Sequence, residues 1–151
     1  MRVSARGVAA CLSAIVVGLS ASAAPAQTQA KSLKDQLVGH WQLVSVMING
    51  NAPYGSNPQG SMFIDAAGHF SVVVISGGNA RNIAYFGTYT VDDASHLMTL
   101  HIDGSSGGSG QNAAGRDLKR SVSISGDQLI VANQTPAGAP GAVQMTWKQA
   151  D

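Results

Sequence analysis

The chain has 151 residues, of which 44% are hydrophobic and only 11% are charged. Nine Lys and Arg residues stand against eight acidic residues, all of them Asp, so the formal charge is +1. So few basic residues give no electrostatic basis for binding nucleic acid or an anionic lipid surface. The lack of Glu, which favours exposed helix surfaces, and the 18 Gly residues point away from a helical protein.

Residues 1–26 have the three parts of a cleavable signal peptide. Arg2 and Arg6 form a basic start, residues 7–19 are apolar and uncharged, and Ala24-Pro25-Ala26 is a small-x-small cleavage site. The apolar run is shorter than the ~20 residues that span a bilayer, so we expect no stable membrane insertion. The sequence therefore predicts export, to the periplasm or out of the cell. An uncleaved N-terminal anchor is the alternative.

Cleavage would also change the chemistry of the chain. It would remove Cys11, the only cysteine, and with it any disulfide or thiolate metal site. It would leave seven basic against eight acidic residues, a formal charge of −1. The mature protein is expected to be nearly neutral and to depend on packing for its stability.

After the signal peptide, residues 27–36 are polar, which predicts a flexible leader or one short helical turn. One domain follows over residues 37–151. There, short apolar runs alternate with turn residues, which is typical of an antiparallel all-β domain. Asn49-Gly50, after the longest run, is a strong hairpin signal. Residues 104–115 are mostly Gly, Ser, Asn and Ala, and predict a mobile loop. Strands are predicted at residues 37–48, 61–64, 69–76, 83–91, 97–103, 117–125, 128–133 and 143–148.

About eight sequential strands leave two exposed edges unless the sheet closes. An antiparallel up-and-down β-barrel closes it, around its own side chains or one small ligand. A two-sheet sandwich is the alternative.

Alternation along the strands turns Arg120 inward together with Val122 and Ile124. The run Phe70–Ile75 is apolar on both faces, which predicts that the N-terminal segment, a loop or a second subunit of a homo-oligomer covers its outer side.

Three motifs carry a family resemblance: Gly39-x-Trp41, Tyr54-Gly55-x-Asn57-Pro58-x-Gly60 and Asp65-x-x-Gly68-His69-Phe70-Ser71. With them the chain resembles the bacterial and fungal lipocalin-like domain family, from residue 37 to about residue 148. His40 and the 104–115 insertion depart from the family pattern. The resemblance implies a small lipocalin-like barrel with no shared catalytic motif. Lipocalins also pack an Arg of a late strand over the Trp at the barrel base, which implies that Arg120 is the cation–π partner of Trp41.

Five residues are candidates for binding a ligand: Trp41, Tyr54, Tyr85, Tyr89 and Arg120. Arg120 either packs on Trp41 or binds a ligand carboxylate inside the barrel. Tyr54 belongs to a lid over the barrel mouth or anchors its own loop. Tyr85 and Tyr89 share one strand face, where they either pack in the core or orient the polar end of a ligand.

The sequence offers little for catalysis or metal binding. His96 and His101 are an odd number of residues apart on one strand, so they face opposite sides. No Gly-x-Ser-x-Gly motif is present, and the Gly-rich run at 104–110 lacks the Lys of a phosphate loop. We therefore predict no catalytic residue, metal site or cofactor.

The predicted function is non-covalent binding of a small, largely apolar molecule by burial of its apolar surface. Two alternatives stay open. A barrel filled by its own side chains would be a structural or protein-interaction module. A barrel with a shaped cavity is also compatible with a cofactor-free isomerase or cyclase.

Overall fold

The computed structural model describes residues 31–76, 82–106 and 113–150. The predicted signal peptide, the first part of the polar leader and the middle of the 104–115 stretch lie outside the described residues. No helix in the described ranges is long and apolar enough to cross a membrane. The elements are α1 (Leu33–Leu37), β1 (Gly39–Ile48), β2 (Gln59–Ile64), β3 (His69–Ile75), β4 (Ile83–Asp92), β5 (Leu97–Ser106), β6 (Asp117–Ser125), β7 (Gln128–Ala132) and β8 (Val143–Gln149).

The eight strands form one closed antiparallel barrel in which each strand pairs with its sequence neighbours. Closure comes from pairing of β1 with β8, where Leu43 lies opposite Trp147 and Ile48 opposite Val143. The predicted all-β, up-and-down barrel of eight strands is confirmed, and the sandwich alternative is wrong. A closed barrel has no free strand edge, which removes the usual route to edge-to-edge aggregation.

Turn residues set most strand ends where the sequence predicts them. Asn49 and Gly50 adopt positive φ angles of 53° and 78°, as a tight two-residue turn requires. The prediction fails for the start of the 104–115 stretch, because β5 continues to Ser106. Residues 104–106 remain in the sheet since they pair with β4, after a bulge at Phe86/Gly87.

The two ends of the barrel differ. Three tight turns and α1 lie at one end, here called the closed end, and the longer connections lie at the other, the open end. Ser32 caps α1 by accepting a hydrogen bond from the Asp35 N–H. Leu33 and Leu37 are buried, and the Trp41 indole N–H donates to the Leu37 carbonyl oxygen at 2.8 Å. This contact fixes α1 to the barrel base.

Inward side chains fill the barrel over much of its depth. They form one apolar cluster, and no polar or charged residue in the described ranges is buried in it. The predicted inward faces of the fifth and sixth strands are confirmed by their alternating burial. That of the eighth strand is confirmed by buried Trp147 and by Val143 and Met145, which face the barrel interior. In the part of the chain that the structure describes, the internal space left for another molecule lies towards the open end. The largest fully buried side chains are those of Trp41, Trp147, Leu37, Met98, Ile102 and Leu129.

Candidate functional site

A cavity of about 110 Å³ lies inside the open end of the barrel. On two of the strands around it, the inward side chain nearest the open end is apolar and the next inward side chain is polar or charged. On β4 these are Ile83 and then Tyr85, and on β6 Leu118 and then Arg120. A molecule entering from the open end thus meets an apolar rim before a polar floor. The remaining lining residues are Ile48, Ser105, Ala113, Val143 and Met145.

Arg120 supplies the positive charge of this cavity. Its side chain is half-buried, and its Nη1 donates to the Lys119 carbonyl oxygen at 3.0 Å. Among the described residues no carboxylate pairs with the guanidinium. A guanidinium has five N–H donors in a planar fork, so most of these donors are available to an anion as far as the described residues are concerned.

Tyr85 lies beside Arg120 on the same cavity floor. Burial raises the pKa of its hydroxyl, and the positive charge of Arg120 opposes that change only in part. The phenol therefore stays protonated near neutral pH and can donate a hydrogen bond. Its ring packs edge-on against Phe70, with the centroids 5.9 Å apart, which fixes its orientation.

The cation–π contact between Arg120 and Trp41 is not formed, so that prediction is wrong. Arg120 lies near the open end, whereas Trp41 lies in the closed-end part of β1 and its indole N–H donates to the Leu37 carbonyl oxygen. Alternation fixes the face of a side chain but not its height along the barrel axis. In the described part of the chain, the cation–π contact is that of Lys34 Nζ with the Tyr89 ring, at 5.9 Å.

The other two candidate tyrosines lie away from the cavity lining. Tyr89 is buried towards the closed end, where its hydroxyl donates to the Asp65 carbonyl oxygen at 2.7 Å. Burial, followed by the nearby Asp65 and Asp35 charges, raises its pKa. Tyr54 packs against the core cluster from the β1–β2 loop, and burial raises its pKa as well. Of the five candidates, the structure brings together Tyr85 and Arg120.

Several lining residues were not singled out from the sequence. Ile48, Ile83, Leu118, Val143 and Met145 read as ordinary core positions because alternation does not distinguish a filled layer from an open one. The available signal was their place at strand ends next to long loops, where a barrel opens.

The described lining of the cavity contains few of the groups that acid–base or metal chemistry uses. No Asp or His is among its described lining residues. In the described ranges, no three His, Cys, Asp or Glu residues form a group that could hold a metal ion. A larger groove of about 630 Å³ lies under the β7–β8 connection, but its described lining includes no charged residue. The internal cavity is thus the better candidate for oriented binding.

The resemblance motifs lie at both ends of the barrel. Gly39-x-Trp41 begins β1 at the closed end, and the loop with Tyr54 and Pro58 joins β1 to β2 at the open end. Comparison of the sequence with protein-family models and with curated proteins found no match. Membership of the lipocalin-like family therefore stays a prediction.

Proposed function

We propose that this chain is an exported, lipocalin-like barrel that binds a small, largely apolar molecule with an anionic or hydrogen-bond-accepting end. The observation that carries the proposal is the half-buried Arg120 guanidinium in the cavity, without a carboxylate partner among the described residues. A charge withdrawn from water is costly unless it is paired. A bound carboxylate would provide that pairing.

The order of residues along the strands indicates how such a ligand would lie. Its carboxylate would reach the floor, where Arg120 offers a charged fork and Tyr85 a protonated hydroxyl. Its hydrocarbon part would contact the rim formed by Ile83, Leu118 and Val143. Each buried CH₂ contributes about 0.8 kcal/mol, so chain length would tune affinity.

The cavity volume limits the size of the ligand. An apolar cavity of about 150 Å³ holds a benzene molecule, and the cavity here measures about 110 Å³. Only a few heavy atoms fit inside, so a longer ligand must extend through the open end. We therefore expect short-chain monocarboxylates to be the best simple probes.

Titration with butanoate, hexanoate and octanoate, followed by NMR and calorimetry, tests the proposal. We expect saturable shifts of Tyr85 and Met145 signals. Affinity should increase from butanoate to hexanoate and gain less from hexanoate to octanoate, whose chain end lies outside the cavity. Arg120→Met should weaken hexanoate binding about 10- to 100-fold, because a charge-assisted hydrogen bond contributes roughly 1.5–3 kcal/mol. Binding of hexan-1-ol should change less than threefold.

Arg116→Met is the matched control, because Arg116 is exposed at the same end and its loss removes the same charge. It should leave hexanoate affinity within about twofold, as expected for a screened surface charge. Equal losses in Arg116→Met and Arg120→Met, or no saturable binding by any of the acids, would contradict the proposed site.

Export has its own test. Intact-mass analysis of the protein recovered from its host should show a chain that begins at Gln27, the residue after the proposed Ala26 cleavage site. A chain that retains residues 1–26 in a membrane fraction would support the anchor alternative instead.

A further inference from the structure

One side of the barrel has an unusual outer surface, formed by β1 to β5. A row of paired residues crosses these strands at one height, from His40 through Phe63, Ser71 and Phe86 to Gly104. Phe63 is 53% exposed and Phe86 56% exposed. Large aromatic side chains that point to solvent in a row indicate a surface used for contact.

Both phenyl rings of the row have a supporting neighbour. The His40 ring stacks on Phe63 with the centroids 4.2 Å apart and the planes 5° from parallel. The Nε2 atom of His40 forms a 2.8 Å hydrogen bond with the Ser61 hydroxyl, which fixes the stack. Phe86 covers Gly104, where an added Cβ would lie 2.6 Å from the ring. Rings that are already ordered lose little side-chain entropy when a partner binds.

The apolar surface continues from this row towards the open end. Val73 and Ile75, on the outer side of β3, are 41% and 43% exposed. This is the outer side of Phe70–Ile75 for which the sequence predicts a cover. No described residue covers it, and we call the surface of Phe63, Val73, Ile75 and Phe86 the β2–β4 patch.

Charge is distributed unevenly around the barrel. Among the described residues, the outward side chains between the ends of β2, β3 and β4 are apolar, hydroxyl or amide groups. The charged groups at the border of the β2–β4 patch are the Asp65–His69 pair at the closed end and Asp103, next to Gly104 on β5. On the opposite side, β6 exposes Asp117 and Lys119. Soluble proteins use such charges to prevent contact between sheet surfaces. No described charge lies inside the β2–β4 patch, so its described residues create no like-charge repulsion between two copies.

The row is also self-complementary. Ser71 leaves a gap between the Phe63 and Phe86 rings, because it lies between them in the pairing of β2, β3 and β4. A two-fold axis parallel to the strands can place a ring of one copy in the Ser71 gap of the other. Two-fold interfaces require such a match of a surface with itself.

We propose that two copies of this chain associate through the β2–β4 patch as a weak dimer. The patch exposes about 350 Å² of apolar surface, given that a large aromatic side chain covers roughly 150–250 Å². A stable dimer buries about 800 Å² per partner, so this patch with its polar rim supports association at the weak end of the range. The dissociation constant should be on the order of 100 µM. The dimer does not depend on the proposed ligand.

Sedimentation equilibrium of the purified protein from 10 µM to 1 mM tests this proposal. The weight-average mass should increase from that of one chain towards that of two. Phe63→Ser combined with Phe86→Ser should keep the mass of one chain at 1 mM. The circular dichroism spectrum and the hexanoate titration of this variant should match those of the parent chain.

Val44→Ser is the matched control, because Val44 is 43% exposed on β1 but lies outside the patch. It should dimerise like the parent chain. If the double variant does not fold, Val73→Lys replaces it, since a charge facing its own copy should weaken association at least tenfold at low salt. A parent chain that stays monomeric at 1 mM, or a Val44→Ser variant that loses the dimer, would overturn the proposal.

Discussion

At the scale of single residues, the two tryptophans of the barrel have the same burial and different surroundings. Trp41 and Trp147 each keep 1% of their surface exposed. The Trp41 indole N–H donates to the Leu37 carbonyl oxygen, whereas the Trp147 indole N–H has no partner among the described residues. A buried donor without a partner loses its hydration without compensation, which costs about 1–3 kcal/mol. Trp147 therefore contributes by packing alone.

This difference predicts unequal effects of the same substitution. Trp41→Phe removes apolar volume and also leaves a buried carbonyl oxygen without its donor, whereas Trp147→Phe removes volume and an unpaired N–H. We expect Trp41→Phe to lower the free energy of unfolding by about 1–2 kcal/mol more than Trp147→Phe. Urea unfolding followed by circular dichroism measures both. Equal losses would mean that the bond to Leu37 does not stabilise the fold.

A second residue-scale prediction concerns the β2–β3 turn. The Asp65 carboxylate accepts hydrogen bonds from the His69 backbone N–H, at 2.8 Å, and from the His69 ring, and these contacts lower its pKa. Because the Asp65 pKa is lower in the folded chain, the carboxylate stabilises the fold at pH values above its unfolded-state pKa of about 3.9. This stabilisation is lost as the pH falls through the lower pKa of the folded state. Asp65→Asn should therefore be less stable than the parent chain at pH 7.

That stability difference should shrink as the pH falls below 4, and urea midpoints measured between pH 7 and pH 2.5 would show it. Asp93→Asn is the control, because the Asp93 carboxylate makes no hydrogen bond within the described ranges. This variant should match the parent chain in stability at pH 7. A stability difference for Asp65→Asn that does not change with pH would show that the carboxylate charge is irrelevant to the turn.

At the scale of strands, the bulge between β4 and β5 decides how the open end is built. Phe86 pairs with Gly104 and Gly87 with Ile102, so Asp103 is the extra residue. An added Cβ at Gly87 would collide with the His101 carbonyl oxygen. The bulge thus needs glycine at position 87 because the backbone of the next strand occupies the space of a side chain.

Gly87→Ala should consequently lower the free energy of unfolding by about 2 kcal/mol or more, or prevent folding. Gly55→Ala is a suitable comparison, because its Cβ would meet nothing within 4 Å and only its φ of 77° opposes the change. That strain costs about 1 kcal/mol. Thermal unfolding of both variants measures the loss of stability caused by the collision at Gly87 and by the backbone strain at Gly55. If Gly87→Ala were no less stable than Gly55→Ala, the bulge geometry would be contradicted.

The same strands show what the sequence could and could not determine. Turn residues such as Asn49-Gly50 have strong local preferences, so strand ends and alternation were predictable. The contact of Arg120 with Trp41 was not, because alternation gives the face of the barrel and height depends on the pairing of all eight strands. The extension of β5 to Ser106 also depends on pairing, since its glycine and serines have no strand preference of their own.

For the whole molecule, closure of the barrel determines where a ligand can bind. Two indoles and the helix α1 fill the closed end, and the residues near Arg120 leave space at the open end. Packing that stabilises a small domain without a disulfide therefore occupies most of the interior that a larger ligand would need. The proposed ligand is small for this reason.

Closure also predicts how the molecule opens. In an open sheet, β1 and β8 would be edge strands whose amides exchange rapidly with solvent. In the closed barrel they pair with each other from Trp41–Gln149 to Ile48–Val143, so they should open only when the whole domain unfolds. In a hydrogen-exchange experiment, the protection factors of the paired amides in Gln42–Ile48 and Val143–Gln149 should lie within about tenfold of those in β3. If the β1 and β8 amides exchanged a hundredfold faster than those of β3, the seam between the first and last strands would open independently of the rest of the barrel.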